Sequence, residues 1–389
     1  MIPKFIEFFI FAENEIQDYR REMNIKWIVI LAALVTQTLS ASAESKVRLS
    51  QEVKVVDPAH RYLKSLGHNP EIVIDHVNSL GYEVYGPAGL TAYLKSENIP
   101  YVTVSIKKPK DGNDYPSPEQ TIKSMQSLAA KYPSLITLTE IGKSVEGRSL
   151  LFARVTAPST QGSALNKRPE FKYIANMHGD EIVGREMMLK LIEDLASNYG
   201  KDERVTTILN TVQVYIMPSM NPDGAFHQVR YNANGADLNR SFPDKTSDDN
   251  QNTTDGREPE IQAVMKFQAA HHFKLSANFH GGAEVVNYPW DAIPDLFPYD
   301  SLVQKLSLDY SKRASYIYNS TEFNQGITNG YAWYEVKGGM QDWSYNWYKD
   351  LQLTIELTHT KWPETSTVAA SYSANRDSLL ALIEDIFQF

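Results

Sequence analysis

Short apolar runs alternate with longer stretches of helical spacing along most of the chain. Residues 171–177 read as a strand that runs into His178, and 183–199 (VGREMMLKLIEDLASNY) follow as an amphipathic helix. Residues 212–217 predict a second strand, 258–271 a helix, and 275–279 a strand that runs into His280. In 351–357, Leu351, Leu353 and Ile355 share one face of a strand, while Gln352, Thr354 and Glu356 share the other. Helices over 121–132 and 378–386 bracket the region, and 244–257 (DKTSDDNQNTTDGR) read as an exposed polar loop. Strands and helices in such alternation predict an α/β sandwich.

Upstream, residues 44–104 read as a small α+β unit of strand, helix, strand and helix. Within it, 71–83 are a strand or helix edge, 89–98 a helix, and 101–104 a strand. The stretch KKPKDGNDYPSPEQ at 107–120 is rich in Pro, Gly and charge and reads as a linker. Its lysines also suit proteolytic cleavage. The expected organisation is therefore 1–43 as upstream residues and a signal peptide, 44–110 as an N-terminal domain, and 111–389 as the main domain.

Composition narrows the function. With 389 residues, 42% of them hydrophobic, the chain has material for one large domain or a domain plus an appendage. A formal charge of −9, with no dense Lys/Arg cluster, argues against a nucleic-acid binder, which needs a concentrated basic surface. The chain has no cysteine, which excludes disulfides, thiolate metal sites and a cysteine nucleophile. From Met23, the order of Lys26, an apolar run over 27–35 and Ala41-Ser42-Ala43 is that of a secretory signal peptide. That run falls short of the about 20 residues that span a bilayer. The expectation is a secreted or periplasmic protein cleaved near Ala43, with residues 1–22 ahead of the true start.

His178-Gly179-Asp180-Glu181 stands where a strand ends and a helix begins, the edge at which ligands gather in open α/β sheets. A His at the strand end and a Glu in the first helical turn can converge on one point. His280 also closes a strand, and Gly281-Gly282 behind it lets backbone crowd a ligand. Two imidazoles and a carboxylate suit a catalytic zinc ion with one open position. Each residue alone could equally be an ordinary strand-end or surface group. His271 and His272 read as helix-end or packing residues, and His60, His68, His76, His227 and His359 as structural or surface histidines.

From about Tyr115 onward the chain resembles the zinc carboxypeptidases, in particular the branch of carboxypeptidases E, N and D. The resemblance rests on motifs in order: EGR (146–148), NMHGDE (176–181), NPDG (221–224), DLNRSFPD (237–244), NFHGG (278–282), VVNYPWD (285–291), ITNGYAWYEVKGGMQDW (327–343) and LTIELTHTKWP (353–363). It implies a mixed central sheet flanked by helices. It also implies one zinc ion held by His178, Glu181 and His280, with Asp237 orienting the first histidine. Glu356 corresponds to the general base that takes a proton from the attacking water and returns it to the leaving amine. Arg240 with Asn239 resembles the clamp on a terminal carboxylate, which a guanidinium fork meets at both oxygens. Arg230 matches the Arg that stabilises the oxyanion, Arg148 a further carboxylate contact on the entry path, and Tyr334 the mobile cap over the bound residue.

Asp291 and Gln341 match the positions that tune the side-chain pocket, and an acid with Gln is the arrangement of the branch preferring C-terminal Lys or Arg. The substrates implied are peptide or protein C-termini. Two departures stand out. That branch usually carries a small β-sandwich after the catalytic domain, which this chain does not include. It also normally lacks an inhibitory N-terminal domain, yet 44–110 is of the right size for one; this unit is either a propeptide over the cleft or a stabilising appendage. A zinc amidase acting on N-acyl amino acids and a non-catalytic peptide-binding scaffold are the alternative functions.

Overall fold

The computed structural model describes residues 48–104, 115–159, 164–247 and 251–389. The expected signal peptide, most of the linker and part of the polar loop lie outside the described residues. Near the N-terminus β1 (Gln51–Val56), β2 (Val73–Asn78), β3 (Gly81–Gly86) and β4 (Tyr101–Thr103) form one antiparallel sheet in the order β2-β3-β1-β4. Helices Leu63–Gly67 and Leu90–Ser96 accompany it. Its own core gathers Val53, Val55, Leu66, Val84 and Leu94.

The segment 71–83, expected as a single edge, is a hairpin. Asn78 pairs with Gly81 across the turn, and its side-chain Oδ1 accepts the Leu80 N–H at 2.9 Å. Gly81 has φ +145°, and a Cβ there would collide with the Val55 carbonyl. An Asn-initiated turn closed by glycine is therefore what splits the run into two strands.

The larger sheet contains β5 (Ile136–Lys143), β6 (Ser149–Val155), β7 (Glu170–Ala175), β8 (Gln213–Met217), β9 (Phe273–His280), β10 (Glu284–Tyr288), β11 (Ile327–Asn329) and β12 (Leu351–Leu357). Their order is β11-β10-β12-β9-β7-β8-β6-β5. Strands β12, β9, β7 and β8 run parallel, whereas β6 against β8 and β10 against β12 are antiparallel, so the sheet is mixed. From β7 the chain moves to β8 on one side and later to β9 on the other. This reversal makes the carboxyl end of β7 a topological switch point, where a crevice opens.

All seven residues of β12 are buried. Leu351, Leu353 and Ile355 enter the apolar core with Phe279 and Leu357, while the Glu356 face meets a buried polar cleft rather than solvent. Two helices start earlier than their apolar spacing predicts. The first spans Pro118–Lys131 because Ser117 and Gln120 form a capping box with Pro118 in the first turn, which takes the end of the expected linker into the helix. The last spans Thr367–Glu384; its first half looks polar because Tyr372 and Arg376 each bond Asp194, on helix Ile182–Asn198, at 2.7 Å. Among the described residues no helix is long and apolar enough to cross a membrane.

Candidate metal and substrate site

Past β7 the chain turns at Asn176, whose φ of +55° is a left-handed value that Asn tolerates. Its side-chain amide donates to the carbonyls of His178 (2.9 Å), Gly179 (3.1 Å) and Glu181 (3.3 Å). Gly179 lies against the Asn221–Gly224 turn so closely that a Cβ would overlap the backbone of Gly224 and Ala225. Asn221 in turn accepts from the Gly224 N–H (2.8 Å) and donates to the Met177 and Arg230 carbonyls (both 3.2 Å). Two asparagines without an assigned role in the sequence, Asn176 and Asn221, thus shape the turn that carries two of the expected ligands.

That turn brings three donors together. His178 Nδ1 lies 2.9 Å from Glu181 Oε1, and His280 Nδ1 lies 2.9 Å from Glu181 Oε2 and 3.0 Å from His178 Nδ1. All three residues are buried, and register pairing sets His280 opposite Glu356. His178 Nε2 sits 3.2 Å from Asp237 Oδ1, so a proton held there leaves Nδ1 with its lone pair for a metal. Two imidazole nitrogens face each other across 3.0 Å beside a carboxylate, so all three donors point at one spot. The donor set therefore fits zinc, with His178, Glu181 and His280 as its ligands.

Asp237 is held by the Arg230 Nε–H (2.8 Å) and the Asn239 N–H (2.8 Å) as well as by His178. Burial works to raise its pKa, but Arg230 and His178 beside it keep the carboxyl well below the usual range. A permanently ionised carboxylate is what orients a metal-ligating imidazole. Asp237→Ala is expected to weaken zinc binding about ten- to a hundredfold, measured by competition against a chromogenic chelator.

The other expected residues line the same cleft, with one exception. Arg230, Asn239, Arg240, Asp291, Tyr334, Gln341 and Glu356 all border the cavity that holds His178 and His280. Asp291 is completely buried, accepts from the amides of Gln341 and Asn287, and is pushed up to about 6 by burial against those two hydrogen bonds. Its backbone N–H and that of Ala292 donate to Asp342 (3.1 and 2.9 Å). Arg148 stands outside the cleft lining, paired with Asp223 (2.7 Å), Glu119 (3.0 Å) and Glu146.

The N-terminal sheet reaches into this cleft, which the sequence did not reveal in detail. Asp75 on β2 pairs with Arg230 and accepts from the Tyr334 hydroxyl at 2.9 Å. Arg240 donates to the Ile74 carbonyl (3.0 Å) and the Trp333 indole to that of Val77 (2.7 Å). His76, expected as an ordinary histidine, stands 2.9 Å from Asp75 and 3.9 Å from Glu356. Burial alone would keep its imidazole neutral, but Asp75 raises its pKa well above the usual value. Lys361 completes the network with Glu83 and the Tyr85 hydroxyl, both at 2.7 Å. Asp75, His76 and Glu83 could by spacing hold a metal, but Arg230 and Lys361 already supply cations to the two carboxylates.

Comparison with known proteins agrees with this geometry. The profile described as zinc carboxypeptidase matches residues 121–378. Carboxypeptidase D of Rattus norvegicus is 39% identical over 318 residues, covering 75% of this chain but 23% of the relative. The chain thus spans less than a quarter of that relative's length. Carboxypeptidase SOL1 of Arabidopsis thaliana is 35% identical over 352 residues, covering 88% of this chain and 69% of the relative. Among solved structures, thrombin activatable fibrinolysis inhibitor superposes with a TM-score of 0.66 at 17% identity, covering 88% of this chain and 99% of the other. The carboxypeptidase A of Helicoverpa armigera does so with 0.66 at 18%, covering 88% and 98%. At these identities the structures speak for the fold alone, over a share that residues from 115 onward cannot supply by themselves.

Proposed function

Because the chain belongs to the zinc carboxypeptidase family, we propose that it removes the C-terminal residue from peptides, prefers Lys or Arg there, and is kept latent by residues 48–104. The observation that carries this reading is the convergence of Arg230, Arg240, Asp291 and Glu356 on the cleft that holds His178 and His280. A clamp for a free carboxylate, an acid for a cationic side chain and a base beside a metal centre are the parts an exopeptidase needs. Residues 23–43 support export as well.

When bound, the zinc ion supplies Lewis acidity to water and to the scissile carbonyl. The protein's own groups do the rest. Arg240, backed by Asn239, grips the terminal carboxylate and so selects a chain end over an internal bond. Asp291 receives the substrate's cation, while an apolar side chain would leave that buried charge unpaired. Glu356 takes a proton from the attacking water and delivers it to the departing amine. Arg230 balances the negative charge that builds on the carbonyl oxygen, and Tyr334 closes over the bound residue. Arg148, outside the cleft lining and paired with three carboxylates, is proposed as the further carboxylate contact on the entry path.

The latent state follows from the same groups. Asp75 occupies Arg230 and Tyr334, and the β2 backbone occupies Arg240, so three substrate contacts are taken at once. Release of Arg from an Arg-ending peptide is expected only after a cut within residues 105–114, and a chelator should abolish it. A Phe-ending peptide should be cut at least about tenfold less efficiently. Equal release of both would discard the basic preference. No release from either, with metal bound, would discard the peptidase reading.

Asp291 adds a pH signature. Burial pushes its carboxyl up to about 6, and a cationic side chain binds the ionised form. KM for the Arg-ending peptide should therefore be low above pH 6 and rise about tenfold per unit below it. KM for the Phe-ending peptide should not rise over the same range. Parallel profiles for the two peptides would assign the titration elsewhere.

A further inference from the structure

We infer that Gly330 determines specificity, because its missing side chain is the space in which the Asp291 carboxylate stands. The inference rests on the reading of Asp291 as the acid of the substrate pocket. A Cβ built on Gly330 would overlap Oδ1 and Cγ of Asp291 and come within 2.9 Å of Asn287 Oδ1. Backbone conformation does not explain the glycine, since Gly330 is absent from the residues with positive φ. It opens the short helix Gly330–Trp333, whose first turn is capped by Asn329 accepting the Ala332 N–H at 3.0 Å. Alanine would suit such a position better than glycine on conformational grounds. What remains is steric.

Asp291 cannot easily step aside. Its N–H is tied to Asp342 at 3.1 Å, and its carbonyl accepts from the Val336 N–H at 2.9 Å. The Tyr331 N–H donates to the Trp290 carbonyl at 2.9 Å, and β10 pairs with β11 up to Tyr288 and Asn329. The two segments are thus zipped together along their backbones, at a distance that a side chain at position 330 would not permit. Any substituent there must drive the carboxylate out of its bonds to Gln341 and Asn287. An acid at 291 and glycine at 330 are one device: the glycine makes room and the acid reads the charge. Gly330 acts through Asp291 and is a positioning residue.

The test is a cycle of Gly330→Ala, Asp291→Ala and the double variant. Each is made in the full chain and cut within 105–114 after folding. The quantity read is the ratio of kcat/KM for Arg-ending and Phe-ending peptides, with KM and kcat resolved. Calorimetric binding of free arginine and phenylalanine gives a second readout. Gly330→Ala should lower the Arg:Phe ratio at least about thirtyfold, mainly through KM for the Arg-ending peptide. In the Asp291→Ala background the same substitution should change the ratio less than about threefold, since no carboxylate remains to displace. A ratio kept by Gly330→Ala but lost by Asp291→Ala would overturn the inference and leave the pocket reading intact. A ratio kept by Asp291→Ala would instead remove the pocket reading. Equal losses from Gly330→Ala in both backgrounds would assign the glycine to folding alone and also overturn the inference.

Discussion

Replacing Glu356 by Gln in the cut protein is expected to lower kcat for an Arg-ending peptide about a hundred- to ten-thousandfold. That is the range over which a positioned general base contributes. Gln keeps the size of the side chain and its place opposite His280 on β9, so the cleft keeps its shape. It loses only the ability to take a proton. Zinc content and KM should therefore stay near those of the parent while kcat falls, a combination that separates lost chemistry from lost binding. A variant with full turnover would remove Glu356 from the mechanism. A variant without zinc would show that the residue supports the metal site instead.

The second large effect is expected at Asp75. In the uncut chain its carboxylate pairs with buried Arg230, and burial, which favours the neutral acid, is overcome by Arg230 and His76, so its pKa lies well below the usual value. Removing one partner of a buried pair costs about 3–5 kcal/mol; Arg230 keeps its bond to Asp237, but the buried His76 imidazole loses the acid 2.9 Å away, and Arg230 loses one of its two close carboxylates. For a docked segment such a cost is a hundredfold or more in the docking equilibrium. Asp75→Ala should thus raise the activity of the uncut chain well above the uncut parent and toward the cut enzyme. After cutting, the two should be indistinguishable. The sign with pH is fixed as well: a depressed carboxylate pKa means the Asp75 contribution is present above pH about 4 and is lost on acidification. An uncut parent as active as the cut one would make residues 48–104 an appendage without inhibitory effect.

The parts of the molecule legible in the sequence are those with a local cause. Strands β7 and β9 could be located by apolar runs that end in His178 and His280, and the alternation in β12 separated the Glu356 face from the core face. The resemblance then gathered residues that no periodicity could bring together. Less visible was whatever depended on distant partners. Asn176 and Asn221 build the ligand turn through hydrogen bonds to carbonyls, which leave no periodic trace. Nothing local in the sequence marks Gly330; only the Asp291 carboxylate beside it explains the missing side chain. His76 lies 280 positions from Glu356 in the chain (356 − 76), and only docking of the first sheet brings them near. The hairpin at Asn78–Gly81 and the cap at Ser117 have local causes too, but these lie in turn chemistry rather than in apolar periodicity.

The way β2 crosses the cleft has a consequence for the protein's safety from itself. Asp75 presents a carboxylate, but it belongs to a side chain on a strand that continues in both directions. The flanking carbonyls of Ile74 and Val77 are held by Arg240 and Trp333. Under the proposed latency, an enzyme that trims chain ends would meet in residues 74–77 the charge it seeks without an end to trim, so this strand is not itself a substrate. If residues 48–104 hold the protein latent as proposed, the first cut would come from an endopeptidase, and the timing of activation would be set by that enzyme and not by this protein's own concentration.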